Sequence, residues 1–143
     1  MGEAVDREAE CELLGIPQRT ETILLVEDEE IVRTMTRQIL EMSGHKVLEA
    51  TCGSEAIRIC SSYDGPVHLV LTDVVMPHMN GPSMVKEVMR IRPNIKTLFM
   101  SGYTDNAILR HGILEEGMPF LQKPFSPDGL ALKVRDVLNS LDA

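Results

Sequence analysis

The sequence predicts an α/β domain: a five-stranded parallel sheet with helices on both faces. Two observations predict it. Apolar, branched runs alternate with stretches of helical periodicity about five times, joined by short connections. That alternation demands parallel strands covered on both sides. Charged residues also stand at the carboxyl ends of these runs, as Glu27-Asp28, Asp73 and Lys123. Open parallel sheets collect their chemistry at that edge.

The elements follow in order. Residues 1–20 read as a linker or disordered preamble. Their charge is mostly acidic, and Gly15 and Pro17 interrupt any pattern, leaving room for a short helix over Ala4 to Leu14. Thr22 to Val26 is the first strand, with the branched apolar content of a central parallel strand. Ile31, Val32, Met35, Ile39 and Met42 then recur at helical spacing, and Ser43-Gly44 ends the helix. Lys46 to Ala50 is the second strand. Gly53-Ser54 opens a second helix carrying Ala56, Ile57 and Cys60 toward the core, and Tyr63 to Pro66 turns the chain.

The run from Leu69 through Asp73 to Pro77 is the third strand and its exit loop. Gly81-Pro82 starts a third helix with Met84, Val85, Val88 and Met89 as its stripe, and Pro93 closes it. Lys96 to Ser101 is the fourth strand. A short, weakly patterned helix is expected over Thr104 to Arg110. Pro119 to Lys123 is the fifth strand. Ser126-Pro127 caps a last helix with Leu130, Val134, Val137, Leu138 and Leu141 on one face.

Composition narrows the function classes. The 143 residues suit one domain, read as residues 21–143 after the preamble. A net charge of -8 argues against nonspecific binding of DNA or RNA. It suits a chain that carries divalent cations. No apolar stretch is long enough to span a bilayer, and Met1 to Glu10 lacks the basic and apolar regions of a signal peptide. Cys11, Cys52 and Cys60 form no C-x-x-C pair, which points to reduced thiols and a cytoplasmic setting.

The strand ends supply a constellation. The first gives Glu27 and Asp28, the third Asp73, the fourth Ser101 and the fifth Lys123. Two like charges about 4 Å apart, at an effective dielectric of about 20, repel by roughly 4 kcal/mol. A hard divalent cation offsets that repulsion. Mg²⁺ takes oxygen ligands and typically uses one or two carboxylates together with phosphate oxygens. Three acids, an ammonium and a hydroxyl around a metal suit phosphoryl transfer to a carboxylate. Each residue also has an ordinary reading. Asp28 could cap the first helix, Lys123 could be a solvated charge and Ser101 a strand-end hydroxyl. Glu29 and Glu30 are best read as acids favoring the helix's positive end.

Four stretches resemble the receiver domain of two-component response regulators. They are Ile23-Leu24-Leu25-Val26-Glu27-Asp28-Glu29, Leu71 to Pro77 with Asn80-Gly81, Ser101-Gly102-Tyr103, and Lys123-Pro124-Phe125. The resemblance runs from about Glu21 to Leu141. It implies the flavodoxin-like receiver fold with strand order 2-1-3-4-5. It makes Asp73 the phosphoacceptor. Asp28, Asp73 and the backbone carbonyl of Val75 become ligands of Mg²⁺ (or Mn²⁺), with Glu27 acting through water where the family often has Asp. Lys123 is matched to the lysine that pairs with the phosphoryl oxygens and Ser101 to the switch hydroxyl. Phe120 is matched to the aromatic that turns inward, although a plain core phenylalanine fits it as well. The peptide before Pro124 is often cis in this family. Val75 and Tyr103 would flank the acceptor and govern the phosphoryl lifetime.

The same resemblance implies a phosphorylation-operated switch, not a turnover enzyme, with at most self-catalyzed phosphorylation and dephosphorylation. Its donor would be a histidine kinase or a histidine phosphotransfer protein. Its output face would combine the helix after the fourth strand, the fifth strand and the last helix, and that face would also serve a homodimer. Both a stand-alone receiver and the terminal receiver of a hybrid histidine kinase are open. Two other classes share parts of the pattern. A haloacid-dehalogenase-type phosphatase also forms an aspartyl phosphate, but wants a second acid where Val75 stands. A flavin-binding module on this fold wants a Ser-, Thr- or Gly-rich phosphate loop where Glu27-Asp28-Glu29-Glu30 stands.

Overall fold

The computed structural model describes residues 21–74, 79–102 and 119–139. Within them the chain forms β1 (Thr22–Val26), α1 (Glu30–Met42), β2 (Lys46–Ala50), α2 (Gly53–Ser62), β3 (Leu69–Asp73), α3 (Gly81–Ile91), β4 (Lys96–Ser101), β5 (Phe120–Gln122) and α4 (Pro127–Leu138). The expected helix over Thr104 to Arg110, the 1–20 preamble, Val75 and Tyr103 lie outside the described residues.

All five strands are parallel and lie in the order β2-β1-β3-β4-β5. Every residue of β1 and β3 is buried, because helices cover both faces of the sheet. Alternate strand residues point to opposite faces and build two cores. Leu24, Val26, Val70 and Phe99 pack with Ala56 and Cys60 of α2 and Met84, Val85 and Val88 of α3. Ile23, Leu25, Leu69, Leu71, Leu98 and Met100 pack with Leu40 of α1 and Leu130, Val134 and Val137 of α4.

The helix ends follow local chemistry. The Asn80 side chain accepts the Ser83 N–H at 2.8 Å and caps α3, and the Ser126 hydroxyl accepts the Gly129 N–H at 2.9 Å and caps α4. Each helix has a proline in its first turn, where the missing N–H costs nothing. Beyond α1, Gly44 takes a φ of 95°, the left-handed turn that favors glycine.

Two helices differ from the stripes read in the sequence. In α1 the inward residues are Thr36 and Leu40, whereas Ile31, Met35 and Met42 are exposed, Ile31 by 84% and Met42 by 85%. The helix is apolar on two opposite sides, and a 3.6-residue period fits either side. Thr36 enters the core because its hydroxyl donates to the Val32 carbonyl at 2.7 Å, leaving no orphan polar group. In α3, Met89 likewise sits at the rim and is exposed. The fifth strand is shorter than its apolar run. Pro119 and Lys123 lie just outside β5, yet both still bond β4, through Phe99 N–H to the Pro119 carbonyl and Lys123 N–H to the Ser101 carbonyl.

These two faces of α1 predict opposite mutational outcomes. Leu40→Ala, on the side of α1 that faces the core, should cost about 2–5 kcal/mol in urea unfolding. Met42→Ala should stay within about 0.5 kcal/mol of the parent protein. A large loss for Met42→Ala would show that this side of α1 is buried after all.

Candidate functional site

Glu27 follows β1 directly, held by its N–H bond to the Ala50 carbonyl at 3.1 Å. Its side chain is fully buried. One carboxylate oxygen accepts the Glu29 N–H at 3.1 Å, and the other accepts from the Lys123 ammonium at 2.8 Å. Lys123 Nζ also donates to Asp73 Oδ2 at 3.0 Å. Asp28 is exposed beside them, and ligand atoms of Glu27, Asp28 and Asp73 all lie within 4.8 Å of one another. The N-cap of α1 is Glu29, so the helix-capping alternative for Asp28 falls away. The solvated-charge alternative for Lys123 falls with its two ion pairs.

Ser101 is 2% exposed at the end of β4, one residue past Met100, which lies opposite Asp73 in the sheet. Its carbonyl accepts the Lys123 N–H at 2.8 Å. Phe120 is half-buried against the core that holds Phe99 and Val70. The Lys123–Pro124 peptide is cis.

Two buried carboxylates share one ammonium with a third acid beside them, and the protonation equilibria show the strain. Burial pushes the Glu27 carboxyl up from 4.5 to about 7, against the pull of the Lys123 and Glu29 hydrogen bonds. Burial also raises the Asp73 carboxyl, opposed by Lys123 and reinforced by the negative charge of Asp28. Burial disfavors the charged form of Lys123, but its hydrogen bonds to Glu27 and Asp73 and their charges outweigh this and raise it. Removing ions from water is costly unless opposite charge compensates. A divalent cation bound by oxygen ligands would supply the missing positive charge, so the donor set fits Mg²⁺ or Mn²⁺.

Two features of the site escaped the sequence reading. Arg33 Nη1 donates to the Glu27 backbone carbonyl at 2.9 Å. Gly81 packs so closely on β3 that a Cβ there would run into the Asp73 carbonyl oxygen, and its N–H donates to the Val74 carbonyl at 2.7 Å. The Asn80-Gly81 pair in the sequence marks a helix start. It carries no sign that the strand bearing Asp73 leaves no room for a side chain.

A model of the response regulator receiver domain matches residues 23–135, and the chain belongs to that family. Receiver domains are signaling phosphoacceptors rather than classical enzymes. The chain is 41% identical over 121 residues to the sensor kinase CckA of Brucella abortus, covering 85% of this chain and 13% of that protein. It is 36% identical over 122 residues to the aerobic respiration control protein ArcA of Escherichia coli K12, covering 85% of this chain and 50% of that one. Among solved structures, the receiver domain of the hybrid histidine kinase CckA superposes with a TM-score of 0.70 at 35% identity, covering 82% of this chain and 99% of that domain. The chain therefore spans half or less of these curated relatives' own length. The comparisons support neither the phosphatase nor the flavin alternative.

Two outcomes are expected. Below about 7 the folded protein holds a proton on Glu27 that the unfolded chain releases above 4.5. The group's contribution to stability is thus full below 4.5 and lost as pH rises through 7. In cation-free urea unfolding, stability of the parent relative to Glu27→Gln should fall across that window; a flat difference would contradict the buried, under-compensated carboxyl. Gly81→Ala should destabilize by about 1–3 kcal/mol through overpacking, although alanine is the better helix former. A raised melting temperature would show that propensity outweighs the contact.

Proposed function

We propose that Asp73 is the phosphoacceptor of a receiver domain that begins near Glu21 and follows the 1–20 segment. The observation that carries this is the Lys123 ammonium bridging Glu27 and Asp73, with Asp28 in the same nest. An Asp73 carboxylate oxygen attacks the phosphorus of a phosphohistidine. The phosphorus–nitrogen bond breaks and the imidazole leaves with the electron pair. Lys123 balances the negative charge that gathers on the acceptor and on the transferring oxygens. Asp28, Asp73 and the Val75 carbonyl would hold Mg²⁺ or Mn²⁺ directly. Both Glu27 oxygens already have donors, which suits action through water. When bound, the cation supplies charge neutralization to the phosphoryl oxygens.

The donor is a histidine kinase or a histidine phosphotransfer protein. The phosphorylated carboxyl draws the Ser101 hydroxyl and Lys123 toward it, and Phe120 turns inward. This biases an existing two-state equilibrium of the domain. The readout face would combine the helix expected after β4 with β5 and α4. On α4, Leu132 is 69% exposed, an anchor suited to a partner or to a second copy of the chain. A cytoplasmic setting fits this role, and no helix among the described residues is long and apolar enough to cross a membrane.

Incubation with acetyl phosphate and Mg²⁺ should add one phosphoryl group to the intact protein by mass, and Asp73→Asn should abolish the gain. Equal labeling of parent and variant would refute Asp73 as the acceptor.

A further inference from the structure

The carboxylates of Glu27 and Asp73 are tied together by Lys123, but the backbone that carries Glu27 and Asp28 is tied from α1. Arg33 Nη1 donates to the Glu27 carbonyl at 2.9 Å while its Nε donates to Glu49 Oε1 at 3.3 Å. One turn on, Arg37 Nε holds the other Glu49 oxygen at 3.2 Å. The Arg33 side chain is only 15% exposed. Glu27 N–H meanwhile bonds Ala50, the residue after Glu49. Both peptide groups of Glu27 are therefore pinned to the end of β2, one directly and one through the guanidinium.

We infer that Arg33 is a positioning residue for the divalent-cation site, acting through the Glu27 carbonyl. That carbonyl belongs to the planar peptide joining Glu27 to Asp28. Fixing its direction removes rotations that would otherwise re-aim the two side chains. Asp28 depends on this most. It is exposed, and among the described residues its carboxylate makes no hydrogen bond or ion pair. A guanidinium holds a carbonyl and a carboxylate through separate nitrogens in fixed planar geometry, whereas an ammonium offers all its donors from one rotatable point.

A purely electrostatic role predicts the opposite sign. A guanidinium near a cation site repels the cation, so removing it would tighten binding. Removing a positioning contact loosens binding. The inference rests on the cation reading of Glu27, Asp28 and Asp73, and the experiment separates the two.

The test is titration of the folded full chain with Mn²⁺, without phosphoryl donor, following free Mn²⁺ by electron paramagnetic resonance. Arg33→Gln should weaken binding about tenfold, the scale for lost supports of metal ligands. Arg33→Lys keeps the charge but not the fork and should weaken it comparably. Glu49→Gln should weaken it less, and should add little to Arg33→Gln. A merely structural Arg33 would lower the melting temperature and leave the affinity of the folded protein unchanged. Tighter or unchanged binding in Arg33→Gln and Arg33→Lys, with Asp28→Asn still weakened, overturns the inference alone. Parent binding no stronger than that of Asp28→Asn overturns the cation reading and this inference with it.

Discussion

Everything in this domain depends on one ammonium placed between two buried carboxylates. Lys123 reaches Glu27 at 2.8 Å and Asp73 at 3.0 Å. These acids stand at the ends of adjacent central strands, β1 and β3. Desolvation alone would drive both toward the neutral form. The lysine keeps carboxylate chemistry accessible there, but one positive charge does not balance three negative ones. The remainder is what makes this donor set suit a divalent cation.

The sheet order brings these groups together. β1 leads into α1 on one face of the sheet, whereas β3 leads toward α3 on the other. The chain thus leaves neighboring strands toward opposite faces, the arrangement at whose carboxyl edge open parallel sheets bind ligands. Glu27 and Asp73 stand buried at that edge, and Asp28 is exposed beside them. The tight seat of Gly81 against the Asp73 carbonyl keeps α3 close to β3.

Much of this was legible in the sequence, for identifiable reasons. The strands β1 and β3 match their apolar runs because a doubly covered parallel strand has no polar side to disguise it. The site acids and Lys123 could be placed on one edge because each directly follows such a run. The inward side of α1 was not legible, since Ile31, Met35 and Met42 repeat with the same period as the buried side. Arg33 was not legible either. Its partner is a main-chain carbonyl, and no residue pattern encodes that contact. The crowding at Gly81 similarly depends on the separation of two segments in space.

The foundations of the charge cluster are unequal. The acids rest on interior strands whose every residue is enclosed. The lysine hangs from a three-residue strand at the sheet's margin, joined to a single neighbor. Its counterweight can therefore swing away, or be drawn in, while the floor beneath the carboxylates stays still.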